Sequence, residues 1–172
     1  CLCLNFCSKS ILNIATTLFI IGIGLLILVF VGQYITMITS KPEEIGLLIH
    51  ERINNERIKA GLQPLQYDTK LAEIAEAHSK DMAEKGYFSH KSPAGLGPAD
   101  RANLANYPCV PGENITTIYT WLYTKQLAQH AVNNWMFSDA HRENILSTIY
   151  EKEGIGIAFT STSVAYVTQN FC

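Results

Sequence analysis

The chain predicts an α+β domain, helices packed on a small antiparallel sheet, preceded by one transmembrane helix. Three observations carry that expectation. Residues 10–40 contain no charged residue. Apolar residues recur at helical spacing in three segments, from Ile45, from Leu71 and from Leu122, and two strand-like runs close the chain. No strand–helix–strand alternation is visible, which argues against a parallel sheet.

The charge-free run has the centre LFIIGIGLLILVFV, Leu18 to Val31. A bilayer core takes about 20 apolar residues, so the run is long enough to span with some tilt. It is too long for the apolar part of a signal peptide, and no A-x-A-like cleavage site follows it. A buried core helix is the competing explanation. The run therefore predicts an uncleaved anchor, with a tail and anchor over 1–40 and a domain over 41–172.

Charge narrows the function of that domain. The chain carries a net charge of −2, and Lys9 is the only charged residue before Lys41, so residues 41–172 carry −3. No basic run occurs. Nucleic-acid binding has no electrostatic footing.

Two signals disagree on which side of the membrane the domain lies. Lys41, Arg52, Arg57 and Lys59 follow the span, and a simple positive-inside count would place the domain in the cytoplasm. Folded-domain residues weigh little in that count. The cysteines point outward: Cys1, Cys3 and Cys7 precede the span and only Cys109 and Cys172 follow it. One pair on one side fits a disulfide in an oxidising space, with the other three kept reduced. Two unpaired thiols are the alternative, and the first three also suit acylation at the membrane. The expectation is a single-pass protein with an extracytoplasmic domain.

Within the domain each element has a local reason. Ser40 and Glu43 in SKPE read as a capping box. Ile45, Leu48, Ile49 and Ile53 follow at helical spacing, and Gly61 ends the helix before a GLQPL loop. Asp68 can cap a second helix with the stripe Leu71, Ile74, Ala75, His78 and Met82, stopped by Gly86. Tyr87 to Gly112 is rich in Gly, Pro, Ser and Asn and reads as a long ordered loop with a short helix near Ala99 to Ala105. ENITTIY reads as a strand. Thr120 can cap a third helix to about Phe137, with Leu122, Leu127, Ala131 and Trp135 inward, and Ser138 or Asp139 a short fourth. Ile155–Phe159 and Val164–Phe171 form a hairpin.

Five histidines are available for chemistry. His50 and His130 sit among polar neighbours and are expected to face solvent. His78 lies on an apolar stripe, where a core histidine bonded to backbone is the ordinary outcome. His90 closes GYFSH at the mouth of the long loop, and His141 sits in the first turn of a helix between Asp139, Arg142 and Glu143. Glu113 lies between a Pro-Gly turn and an apolar strand start. No H-E-x-x-H, C-x-x-C, G-x-S-x-G or P-loop is present. His90, Glu113 and His141 are too far apart in sequence for one element to bring together.

The segments HSKDMAEKGYFSHKSP, PGENI, WMFSDAHRENIL and EKEGIGIAF…YVTQNF occur in an order and spacing that resembles the CAP family, named for cysteine-rich secretory proteins, antigen 5 and pathogenesis-related proteins. The resemblance covers about Ile45 to Phe171 and is nearest the compact prokaryotic members. It implies an α-β-α sandwich with a small antiparallel sheet, and a cleft lined by two His and two Glu. His90 matches the first His, Glu113 the Glu of the G-E-N motif, and His141 the second His. The fourth member, a Glu on the helix before the second His, is absent; Ser138 stands near its place, and neither Asp139 nor Glu143 takes the role by resemblance.

These readings lead to a membrane-tethered extracytoplasmic binding module for a lipid, small molecule or protein, with no nucleic acid. Its cleft would hold zinc or another divalent ion weakly through His90, His141 and Glu113. The alternative is a metal- or His-dependent hydrolase, for which Ser89, Ser92 and Ser138 are neighbours but none is marked as nucleophile. A structural surface protein with a relict cleft is a third possibility.

Overall fold

A computed structural model describes residues 16–31, 41–119 and 124–172. The chain divides into two units, Cys1–Thr39 and Ser40–Cys172. In the first, residues 16–31 are helical, and the large apolar side chains from Leu18 to Val31 are exposed. Among the described residues no helix is long and apolar enough to cross a membrane. Both ends of the predicted span, residues 10–15 and 32–40, lie outside the described residues, as do Cys1, Cys3 and Cys7.

The second unit begins with α1, Pro42–Lys59. The capping box predicted at its start does not form: Lys41 is the N-cap and makes no side-chain cap bond, while Ser40 lies outside the described residues. Pro42 starts the helix instead, since its fixed φ is already helical and it lacks the N–H that would go unbonded there. Glu43 and Glu44 in the first turn, and Arg57 and Lys59 in the last, match the helix dipole. Ile45, Ile49 and Ile53 are buried, each contributing roughly 1.5–3 kcal/mol.

β1 is only Gln66–Tyr67. Helix α2, Thr69–Lys85, is bounded as its sequence predicts: the Asp68 side chain accepts from Leu71 N at 3.0 Å, and Gly86 takes the left-handed conformation at φ 68°. Its whole predicted stripe is buried. The long loop carries α3, Pro98–Leu104. Strand β2, Gly112–Tyr119, follows. Helix α4, Thr124–Phe137, buries Leu127, Ala131 and Trp135 as predicted, whereas Thr120 and Leu122 lie outside the described residues. Ser138 is the N-cap of α5, Asp139–Ile145. Strands β3, Lys152–Phe159, and β4, Val164–Phe171, close the chain.

The sheet order is β1-β3-β4-β2. β3 and β2 both pair antiparallel with β4, the latter in the register Gly112↔Phe171 to Tyr119↔Val164. β1 pairs parallel with β3, through Gln66↔Lys152 and Tyr67↔Glu153. The sheet is thus mixed, not purely antiparallel as expected. A two-residue strand carries no alternation to read, and only the distant β3 makes it a strand.

Alternation along β3 sets up three layers. Gly154 and Gly156 lie under α2: a Cβ on either would fall about on that helix's backbone, 2.1 Å from Ala72 N and 1.9 Å from Glu76 N. Ile155 and Ile157 belong to the cluster on the other face, with Ile45, Ile49, Ile53, Trp135, Val167 and Phe171. So α2 covers one face of the sheet, and α1 and α4 pack on each other over the opposite face. β2 is an edge strand, with the long loop on one side of it and α4 and α5 on the other. The candidate site is built there.

Candidate functional site

Glu113 is the second residue of β2 and 8% exposed. Both of its carboxylate oxygens are engaged. Oε1 accepts from His90 Nδ1 at 2.8 Å, and Oε2 accepts from Arg101 Nη2 at 2.5 Å. The same guanidinium donates from Nη1 to the carbonyls of His90 (3.1 Å) and Leu96 (3.0 Å). One arginine on α3 therefore ties a loop of ordinary polar composition down onto the strand edge. Charge-assisted bonds of this kind are the strong ones, and a buried carboxylate demands them.

His78 lies beneath this pair, 1% exposed, with Nε2 3.9 Å from Glu113 Oε1. Nε2 donates to Ser89 O at 3.1 Å, which matches the sequence expectation of a core histidine bonded to backbone. Burial pushes its pKa down against the pull of Glu113, so the ring is neutral at pH 7.

His141 is the third residue of α5. Its Nδ1 is buried without a hydrogen-bond partner. Burial, and then His90, lower its pKa, so this ring too is neutral at pH 7. The backbone carbonyl of His141 accepts from Asn114 Nδ2 at 3.1 Å, next to Glu113 on β2. The structure thus puts His90 and Glu113 in direct contact, and ties the backbone of His141, not its ring, to Asn114, the residue after Glu113.

The charged neighbours that drew attention to His141 serve the corner between α4 and α5. Arg142 donates to Met136 O at 2.9 Å and to Asp139 Oδ1 at 2.5 Å. Glu143 is exposed. Neither carboxylate joins His90 and Glu113. Ser89 Oγ accepts from Lys91 N, and Ser92 Oγ from Leu96 N, so both hydroxyls serve turns. Ser138 borders a groove of about 540 Å³ with His141. Phe88, Ile115, Thr116, Asn134 and Phe137 complete much of its lining, which carries no formal charge when His141 is neutral. Phe137, read as part of a helix end, is 94% exposed there.

Among the described residues no group of three or more His, Cys, Asp or Glu is arranged to hold a metal ion. Glu113 explains much of this, since its two oxygens are spent on Arg101 and His90. What remains for a ligand are the imidazoles of His90 and His141.

Two residues of the site escaped sequence reasoning. Arg101 stands in a loop segment without periodicity, and nothing local aims it at Glu113. Asn114 was in view within PGENI, but its partner is a backbone atom 27 residues away. His50, expected to face solvent, is half-buried and bonded through Nδ1 to Glu153 Oε1 at 2.6 Å, a contact spanning 103 residues. His130 is exposed as expected.

Comparison with known proteins gives a consistent picture. The model of the cysteine-rich secretory protein family, CAP, matches residues 50–171. An uncharacterized protein of Bacillus subtilis, YkwD, is 35% identical over 122 residues, covering 69% of this chain and 45% of that protein. An uncharacterized membrane protein of the same organism, YlbC, is 35% identical over 116 residues, covering 67% of this chain and 30% of its own length. This chain therefore spans less than half of either relative. A crystal structure of an extracellular protein containing an SCP domain from Bacillus anthracis superposes with a TM-score of 0.62 at 28% identity, over 77% of this chain and 43% of that one.

Proposed function

The chain belongs to the cysteine-rich secretory protein (CAP) family, and from that premise we propose that it is a membrane-tethered, extracytoplasmic binding module whose cleft takes an uncharged ligand and a weakly held divalent ion. The observation that carries the binding reading is the state of Glu113. A carboxylate with one oxygen on Arg101 and the other on His90 is an anchor for the cleft wall, not a free base.

The groove beside it suits a neutral ligand. Exposed Phe88 and Phe137 offer apolar area, and Asn133, Asn134 and Thr117 offer amides and hydroxyls. Such a mixture, a few polar groups in an otherwise aromatic or apolar lining, is what small-molecule sites use. Whether a lipid, a small molecule or a segment of protein fills it is for ligand screening to decide.

For the ion, the donor set fits partially. His90 and His141 would hold it, and Glu113 would orient His90 through Nδ1, leaving Nε2 as the ligating nitrogen. Glu113 then acts behind the ligand rather than as one. Bound there, a divalent ion would polarise an oxygen of the ligand. Two imidazoles make a sparse shell, so binding is expected to be weak and exchangeable. Calorimetric titration of the full chain with zinc tests this, and His90→Ala and His141→Ala should each abolish the measurable heat. Protons compete for imidazole. Because the pKa of His141 is lowered, its loss of affinity on acidification should begin below the ordinary value of 6.5. Equal zinc binding by wild type and both variants would sink the metal reading.

The placement has three supports. Residues 16–31 form an exposed apolar helix. Cys109 and Cys172 form a disulfide, which persists in oxidising compartments. One relative is named a membrane protein and another an extracellular one. Protease added to intact cells should digest the domain; protection until the membrane is breached would reverse the topology. A hydrolase remains the second reading, favoured by one observation: His141, a ring whose pKa burial lowers, lines the groove. Turnover of an ester or peptide library, lost in His141→Ala, would establish it.

A further inference from the structure

On the face of the sheet opposite α2, a chain of polar side chains runs through the core from α1 to the cleft. Asn54 Nδ2 donates to His50 Nε2 (3.2 Å), and His50 Nδ1 meets Glu153 Oε1 (2.6 Å). Gln169 Nε2 donates to Glu153 Oε2 (2.6 Å), and Asn114 Nδ2 reaches Gln169 Oε1 (3.1 Å) and His141 O (3.1 Å). Asn144 Nδ2 donates to Asn114 Oδ1 at 2.9 Å. Glu153, Gln169 and Asn114 are all 0% exposed.

Backbone groups at both ends reveal the direction of every bond. At the α1 end, Leu65 N donates to Asn54 Oδ1 (2.7 Å) and Leu65 O accepts from Asn54 Nδ2 (3.0 Å). Asn54 therefore presents an N–H to His50, and His50 Nε2 must accept. The ring's one remaining proton sits on Nδ1 and is donated to Glu153, so His50 is neutral. At the cleft end, the carbonyl of His141 can only accept, so Asn114 presents its NH₂, and Gln169 must offer Oε1 to it. Gln169 then turns its NH₂ toward Glu153. Both oxygens of Glu153 accept, which makes it an ionised carboxylate in direct contact with neutral donors alone. Arg57 is nearby enough to feel its charge, but Arg57's own bonds go to the carbonyls of Gln63, Ile145 and Ser147.

We propose that Glu153 is a positioning residue for the cleft: its acceptor-only carboxylate sets the polarity of the Gln169–Asn114 chain and so holds the backbone of His141 in place. A buried charge with no cation in contact costs stability, and hydrocarbon in its place is often tolerated. Glu153 is therefore better explained by the orientation it imposes than by the stability it adds. The inference deepens the proposed function, because it rests on His141 working in the cleft.

The substitution Glu153→Gln makes the logic testable. Glutamine offers one acceptor and one donor where both neighbours donate. Turning the His50 tautomer would set an Nε2–H against the Asn54 N–H that Leu65 holds. The mismatch is passed instead to Gln169, whose amide turns over, and then to Asn114, whose NH₂ leaves His141 O. Exchanging the two residues, Glu153→Gln with Gln169→Glu, restores an acceptor facing Asn114 and should restore the bond.

The experiment is NMR on the labelled full chain in detergent. In the wild type at neutral pH, the ring nitrogens of His50 should report the neutral Nδ1–H tautomer, and the side-chain carboxyl carbon of Glu153 should lie in the ionised range. In Glu153→Gln, the His141 carbonyl carbon should move upfield and the Asn114 side-chain amide should shift, and in the double exchange both should return to wild-type positions. A protonated Glu153 or an Nε2–H His50 in the wild type overturns the proposal, whether or not the single variant folds. So does a Glu153→Gln spectrum unchanged at Asn114 and His141, or a double exchange that fails to restore it. These resonances are read without zinc or ligand, so a failure of the binding reading leaves this result standing, and the reverse.

Discussion

Gly156→Ala is expected to remove most of the domain's stability. A Cβ there would stand 1.9 Å from Glu76 N and 2.3 Å from Ala75 C and Glu76 Cα, all backbone atoms of α2. No rotamer can move those atoms, so the helix must lift off the sheet. Ordinary overpacking costs about 1–3 kcal/mol, and a backbone collision should exceed about 3 kcal/mol, against a typical total of roughly 5–15 kcal/mol. The displacement would also reach the site. Ser79 on α2 donates to Gly156 O (3.0 Å) and hydrogen-bonds with Thr168 Oγ1 (2.8 Å), and His78, one residue earlier, underlies Glu113. Gly46→Ala is the control. Its Cβ would come no nearer than 3.2 Å to Ile155 O, and alanine gains about 1 kcal/mol of helix propensity inside α1, so the two effects should nearly cancel. Urea unfolding should show Gly156→Ala unfolded or far less stable, and Gly46→Ala close to wild type. A Gly156→Ala midpoint equal to wild type would mean the helix-to-sheet distance is not what holds these layers together.

The same contrast marks what could be read from the sequence. Asp68 and Gly86 bound α2 because capping and the left-handed turn are local chemistry, and its buried stripe follows from periodicity. The closing hairpin was legible for the same reason. The close approach of α2 to β3 was not. GIGI reads simply as a β-rich run, and its glycines gain meaning only when Ala72 and Glu76 lie above them. β1 and the burial of His50 failed similarly, since each depends on β3, which comes late in the chain. At the cleft, His90, Glu113 and His141 were individually odd, and resemblance ordered them. Arg101, which takes one oxygen of Glu113, had no signal at all, and without it the sequence assigns that carboxylate to a metal rather than to the loop.

Breaking the Cys109–Cys172 bond is the second large effect expected. The two Cα atoms are 6.2 Å apart and 63 residues apart in sequence. Closing a loop of that length in the unfolded chain is worth about 4 kcal/mol in the chain-entropy model. The native state should lose little by comparison. Cys172 stays seated without its sulfur bond, because its carbonyl accepts from Glu151 N (2.7 Å) and Lys152 N (2.8 Å) and its N–H donates to Lys152 O (2.9 Å). Cys109 is held less firmly, by a backbone bond to Tyr107 O at 2.9 Å. The Cys109→Ser, Cys172→Ser variant should therefore fold to the same structure yet melt on the order of 10 °C lower, with its added mobility concentrated between Tyr107 and Gly112. Reduced wild type should melt with the serine variant and not with the oxidised protein. Were all three to melt together, the bond would contribute nothing to stability, and its purpose would have to lie in shaping the loop ahead of Glu113. If instead the variant fails to fold, Cys109 is fixing native geometry that the backbone bonds around Cys172 cannot supply alone.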